Sequence, residues 1–289
     1  MKKWMSVLMA ALLVSLSLGV SVAGASDFDV SKDIAVVSRE DGSGTRGAFI
    51  ELFGILQKND DGTQKDLTTK EAVIAKQTDV MMTNISGDVY AIGYISLGSL
   101  NDTVKAVQIE GITASAENVK NGTYPIARPF NIATKGEPTG AAKDFMDFML
   151  SADGQAIVAG SYIAVDENAP AYTAAQQQGK IVVAGSSSVT PIMEKLKEAY
   201  LAVNSEAAIE IQQSDSSAGL TAAVNGTCDI AMASRELKES ELAELAPMQI
   251  ALDGIAIIVN QGNPIDNLEK EQVKAIFTGE ILSWSEVSE

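Results

Sequence analysis

Four stretches of this chain gather hydroxyl, glycine and cationic residues at points where an apolar strand pattern gives way to a helical one. The first is Ser38-Arg39-Glu40-Asp41-Gly42-Ser43-Gly44-Thr45-Arg46-Gly47, which follows a β-branched run at 34–37 and precedes an apolar run at 48–53. Glycines permit tight turns in which successive backbone N–H groups converge on one point. A helix N-terminus adds unpaired donors and partial positive charge. Ser43 and Thr45 supply hydroxyls, Gly44 supplies a close backbone approach, and Arg39 supplies a permanent planar cation suited to a tetrahedral oxyanion. The second stretch, Gly185-Ser186-Ser187-Ser188-Val189-Thr190-Pro191, repeats the pattern after a strand at 181–184, with Pro191 where a first-turn N–H is dispensable. Ser214-Asp215-Ser216-Ser217-Ala218-Gly219 and Ala233-Ser234-Arg235 complete the set. Any one of these turns reads most simply as a capped strand-to-helix connection. Together they describe a cleft that grips a small anion from two sides. Neither a phosphate-loop GxxxxGK[ST] nor a dinucleotide GxGxxG is present.

Composition narrows the chemistry. Among 289 residues there is no histidine, so histidine triads and histidine-liganded metal sites are impossible. No nucleophile–base pair or metal cluster assembles from the sequence, which predicts a binding protein, not an enzyme, and no cofactor. The net charge of −17 excludes a nucleic-acid partner, whose binding rests on basic patches. A buried anion is less affected, because it feels local donors more than screened surface carboxylates. The single Cys228 forms no internal disulfide and reads as a small buried hydrophobe.

The elements that must position these turns follow from periodicity. Strands are predicted at 34–37, 90–95, 181–184, 208–212, 229–233 and 255–260, and helices at 141–150, 191–203, 219–225, 237–245 and 269–277. Such alternation predicts βα units and mainly parallel sheets, with the turns at strand ends where open α/β sheets bind ligands. Residues 166–180 (DENAPAYTAAQQQGK) are polar and break the pattern, as a linker does. At the start, Lys2 and Lys3 precede an apolar stretch closing with Ala23-Gly24-Ala25, the order of a cleavable export signal over 1–25. Its apolar core is shorter than the roughly 20 residues of a membrane span. A periplasmic or extracellular location is expected.

The stretches IVVAGSSSVTPI, CDIAMASREL, ALDGIAIIVNQGNPI, QVKAIFTGEILSW, IAVVSREDGSGTRGAF and AIGYISLGSL resemble the phosphate-binding receptors of bacterial phosphate ABC importers, over nearly the whole chain after the leader. The resemblance implies an α/β, two-lobed type II periplasmic-binding-protein fold with mixed, mainly parallel sheets and a ligand cleft between the lobes. It implies capture of inorganic phosphate and delivery to the membrane permease of an ABC importer by a monomer. A receptor for sulfate or molybdate, or a phosphate-sensing or scavenging protein without transport, is the alternative. By the same resemblance Arg39, Ser43, Gly44 and Thr45 bind phosphate from one lobe, with Asp41 orienting Arg39. Ser188, the Val189 N–H and Ser216 bind it from the other, and Ser234 and Arg235 add donors. Some members carry an aspartate at the Ser234-Arg235 turn to accept the proton of hydrogen phosphate; Arg235 cannot accept it, which leaves Asp215 or Asp253 as acceptor. Family order is also reversed here, since SREDGSGTR normally follows IFTGEILSW. A circular permutant, or a piece of a tandem duplication, gives this order. The expected lobes are 27–124 plus 259–289, carrying SREDGSGTR, and an inserted 125–258, carrying GSSSVTP, with old termini joined by 166–180.

Overall fold

The computed structural model describes residues 28–59, 63–173, 175 and 177–287, so the predicted leader over 1–25 lies outside the described residues. The main sheet runs Ala207–Ser214, Gly179–Ser186, Ile230–Ala233, Ala127–Thr134, Ala246–Asn260, Ala91–Ser96, Ala35–Arg39, Val73–Ala75. Its first three strands pair in parallel, as do its last three. Ala127–Thr134 and Ala246–Asn260 lie between them, antiparallel to each other and to their outer neighbours. Two parallel βα units are therefore joined by one antiparallel crossing pair. That arrangement makes a two-lobed α/β fold.

Each lobe has its own core. One draws on residues 36–126 and 255–287, including Phe49, Tyr94, Phe277 and Trp284. The other draws on 130–251, including Phe145, Ile192, Leu196 and Tyr200, with a smaller apolar group behind Leu220 and Cys228. The Thr190–Val203 helix buries Ile192, Met193, Leu196 and Tyr200, while Val203 is exposed. Ile255, Ile257 and Ile258 pack in the first core, so the return crossing falls at Gly254, slightly before the boundary expected from sequence. The Asp253–Gly254 and Arg128–Ala127 pairs are register partners on the crossing strands.

Sequence periodicity located most strands and helices within a few residues, but it missed the helices Thr78–Gly87 and Ala152–Ala159 and the crossing strand Ala127–Thr134. The helix expected at 237–245 shortens to Glu239–Leu242. The described residues of the 166–180 stretch are largely exposed, yet the stretch is not wholly loose. Tyr172 packs edge-on against Phe148, its N–H donates to Asp153, and the Pro170 carbonyl receives the Ala152 N–H at 2.8 Å. Tyr172 thus anchors the connection near its middle, and the Gln177 carbonyl, which accepts from Asn204, and the sheet pairing of Gly179 and Lys180 hold its end. Limited proteolysis followed by mass spectrometry should place the first cut within 166–180 and leave both lobes intact; a first cut inside either lobe would contradict its role as a surface connection.

Candidate functional site

The turns singled out in the sequence come together across the cleft. Gly44–Leu52, Thr78–Gly87, Thr190–Val203 and Ser216–Val224 are helices whose first turns meet around a knot of buried hydroxyls. Thr45 Oγ1 lies 2.7 Å from Ser188 Oγ and 3.5 Å from Ser234 Oγ. Ser234 Oγ is 2.9 Å from Ser186 Oγ and 3.5 Å from Ser216 Oγ. Thr78 Oγ1 stands 3.4 Å from both Ser187 Oγ and Ser188 Oγ. Each helix end brings partial positive charge and unpaired N–H groups, so the convergence suits an anion. The strands that enter the loops end at Arg39 in one lobe and at Ser186, Ser214 and Ala233 in the other, and because the two sets run antiparallel across the crossing pair their C-terminal ends face each other at the cleft.

The loop of the first lobe is anchored before it reaches the cleft. Tyr94, stacked on Phe49, accepts the Arg39 N–H at 3.0 Å and lies 2.9 Å from Ser38 Oγ. Burial pushes the Tyr94 hydroxyl up to about 12, so it stays a neutral donor and acceptor. Arg39 is 2% exposed and extends Nη2 to Ser187 Oγ in the opposite lobe at 3.1 Å, while Nη1 faces Thr78 Oγ1 at 3.4 Å. Ser43 caps its helix by accepting the Arg46 N–H, which leaves its hydroxyl hydrogen available to a ligand. Gly44 is required by space: a Cβ there would sit 2.4 Å from Ser216 Oγ and 2.7 Å from Ser234 Oγ. A Cβ on Gly42 would strike the Asp215 carboxylate at 2.2 Å, and the Gly42 carbonyl accepts the Ser217 N–H across the cleft.

Several sequence expectations need correction. Asp41 does not orient Arg39; it is exposed and pairs with Arg46 at 2.7 Å. Glu40 takes that role, its two carboxylate oxygens receiving Arg39 Nε and Nη2 at 2.8 and 2.7 Å, because the strand's last residue and its neighbour both turn inward. Arg46, in the first turn of the helix that follows, clamps Asp41, Asp66 and the Arg39 carbonyl. The Val189 N–H is spent on the Ser186 carbonyl at 3.0 Å, so the backbone turn itself uses that donor. Arg235 turns away and forms a two-pronged pair with Glu241, at 2.7 and 2.8 Å, and a bond to Ser217 Oγ. Asp215 caps the Ser216 helix by accepting the Ala218 N–H. Asp253 is buried, with burial raising its carboxyl to about 6 against the opposing pull of Arg128. Sequence reading missed Glu40, Thr78, Ser187 and, above all, Arg128. Arg128 Nη1 donates to Thr45 Oγ1 at 2.8 Å and to the Ser234 carbonyl at 2.7 Å, and Nη2 pairs with Asp253. Its only sequence signal was one charge within an otherwise apolar run at 126–133.

The family model of the PBP superfamily domain matches residues 4–153 and 170–289. A phosphate-binding protein PstS 2 of Streptococcus agalactiae is 51% identical over 288 residues, covering 97% of this chain and 98% of that protein. The chain belongs to the phosphate-binding protein PstS family. A crystal structure described as the phosphate-binding protein of a phosphate ABC transporter from Streptococcus pneumoniae superposes with a TM-score of 0.70 at 43% identity, covering 88% of this chain and 99% of that one. A Staphylococcus aureus member of the PstS family matches over a shorter span, 38% identical across 36% of this chain and 34% of its own length.

A charge-assisted hydrogen bond contributes roughly 1.5–3 kcal/mol. Arg39→Met keeps the apolar stem and removes the donors, so oxyanion affinity measured by calorimetry should fall at least about tenfold. Arg46→Met should weaken binding less, since it loosens the loop without removing a cleft donor. A larger loss at Arg46 than at Arg39 would show that the site is misplaced. Gly44→Ala should likewise lower affinity by about tenfold or more, while the melting temperature without ligand barely changes, because its clash exists only where the lobes meet; unchanged affinity would refute the steric argument.

Proposed function

We propose that this chain is an extracytoplasmic receptor that captures inorganic phosphate between its lobes and hands it to the membrane permease of an ABC importer. The observation that carries this reading is the convergence of four helix first turns and the Arg39 guanidinium on one buried hydroxyl knot. A tetrahedral anion with several oxygens needs donors from several directions, and this arrangement supplies them from both lobes. In this reading Arg39, Ser43, Gly44, Thr45, Ser187, Ser188, Ser216 and Ser234 hold the ligand. Glu40 fixes Arg39. The protein acts as a monomer, without cofactor or catalytic step, after export and removal of a leader over 1–25. Among the described residues no helix is long and apolar enough to cross a membrane.

The lobe order supports a permuted arrangement as part of the same proposal. The first and last described segments lie side by side in one lobe: Asp33 bridges Ser283, the Ile34 N–H donates to the Leu282 carbonyl at 2.7 Å, and Phe28 meets Trp284 edge-on. Ends so placed are those that can be created by joining old termini through 166–180. The Streptococcus agalactiae relative shares the order, since it aligns over nearly its whole length.

The family aspartate that would accept the proton of hydrogen phosphate is Arg235 here, and Arg235 is engaged with Glu241. In our reading a cleft hydroxyl accepts that proton, since serine and threonine both donate and accept. Titration of the chain with phosphate, sulfate and molybdate tests this. Phosphate should bind more tightly than sulfate or molybdate, though by less than a carboxylate acceptor would give, because a hydroxyl that accepts from hydrogen phosphate can also turn to donate to sulfate. Sulfate binding as tightly as phosphate would overturn the choice of ligand.

A further inference from the structure

We propose that Arg128 is a second anion-binding cation of the cleft, set at the point where the chain crosses between lobes and counter-charged by Asp253. The proposal rests on the oxyanion reading of the site but not on which oxyanion is bound.

Arg128 and Asp253 face each other in register on the two crossing strands, 3% and 1% exposed, with Nη2 3.1 Å from Oδ2. From this floor Nη1 reaches both lobes, donating to Thr45 Oγ1 in one and to the Ser234 carbonyl in the other. Thr45 Oγ1 is itself 2.7 Å from Ser188 Oγ. The guanidinium is therefore one hydrogen bond from the hydroxyl knot, at Thr45 and Ser234, whereas Arg39 meets it at Ser187 and Thr78.

Stability alone does not account for the pair. Burying two charges is costly unless every donor and acceptor is matched, and apolar replacements of such pairs are often neutral or stabilising. Matching here is incomplete, because Arg128 Nε has no partner. Phe130 covers the guanidinium face at 5.1 Å and Tyr162 packs on Phe130, which leaves the forked end as the part that can meet a ligand. A fork that touches both lobes at once is formed only when they are shut. Arg128 would then reward the same closure that traps the anion.

The test uses the full chain and three proteins: unmodified, Asp253→Asn, and the double variant Arg128→Met with Asp253→Asn. The double variant removes both charges and leaves no unpaired buried ion, so it should fold with a melting temperature close to that of the unmodified chain. Its phosphate affinity, read by calorimetry, should fall at least about tenfold. Asp253→Asn keeps the guanidinium and should lose clearly less phosphate affinity than the double variant. A double variant that binds within about twofold of the unmodified chain overturns the proposal. So does an equal loss in both variants, which would assign the pair a purely structural role. If the unmodified chain prefers sulfate or molybdate, the phosphate reading fails and the series is read with that anion; a chain that binds none of the three overturns both readings.

Discussion

The contact between Thr45 and Ser188 spans the cleft at 2.7 Å, and it forms only because the backbones around it carry almost no side-chain bulk. Gly42 and Gly44 let the first-lobe loop reach the Asp215 and Ser216 turn of the second lobe, where any Cβ would collide with a carboxylate or a hydroxyl. A similar economy operates within the second lobe. Gly219 packs onto Gly185, so that a Cβ there would meet the Gly185 Cα at 2.5 Å, and Gly185 itself has a φ of 131°. The Ser216–Val224 helix is thereby seated directly on the Gly179–Ser186 strand, and its first turn is delivered to the cleft. Close approach of backbone to backbone is what brings helix N-termini within hydrogen-bond reach of one another.

That approach explains how a chain with a net charge of −17 can be organised around an anion site. Surface carboxylates act through water and salt, which screen them beyond about 8 Å at physiological ionic strength. Inside the cleft each cation has its own counter-charge, Glu40 on Arg39 and Asp253 on Arg128. The local field is therefore set by near-neutral pairs, by helix ends and by hydroxyls that can turn to donate. Burial raises the Asp253 carboxyl to about 6 even with Arg128 beside it. The sign of the linkage follows: the folded state holds this proton more tightly than the unfolded chain, so the cost of an ionised Asp253 is absent well below pH 4, grows as pH rises, and is complete above about 6.

Within the first core, Tyr94 connects packing to chemistry. Its ring stacks on Phe49 at 3.9 Å between centroids, and its hydroxyl holds the backbone of Arg39 and the side chain of Ser38. The aromatic core thus fixes where the loop leaves the sheet. Arg46 fixes where it turns, by gripping the Arg39 carbonyl from the helix that follows. A long side chain in this position serves the geometry of the loop and not the ligand.

Sequence alone determined the features whose causes are local. A β-branched run, a Gly/Ser turn and an apolar helical stripe follow one another within about twenty residues, so the turns carrying Ser43, Thr45, Ser188 and Ser216 were legible from pattern, and so were the α/β class and the polar connection at 166–180, whereas the two lobes were implied by the family resemblance. Tertiary structure decided the pairings that join residues far apart in the chain. Glu40 and Asp41 are adjacent and alike in type, and only the direction of the turn after the Ala35–Arg39 strand tells which carboxylate reaches Arg39 and which is left to Arg46. Arg235 looked like a cleft donor until Glu241 claimed it. Arg128 stood out locally only as a lone charge in a mostly apolar run, because its place at the site comes from the register of two crossing strands 125 residues apart. A charge's partners depend on which backbone lies opposite it, and in this fold that is fixed by the sheet, not by the neighbouring sequence.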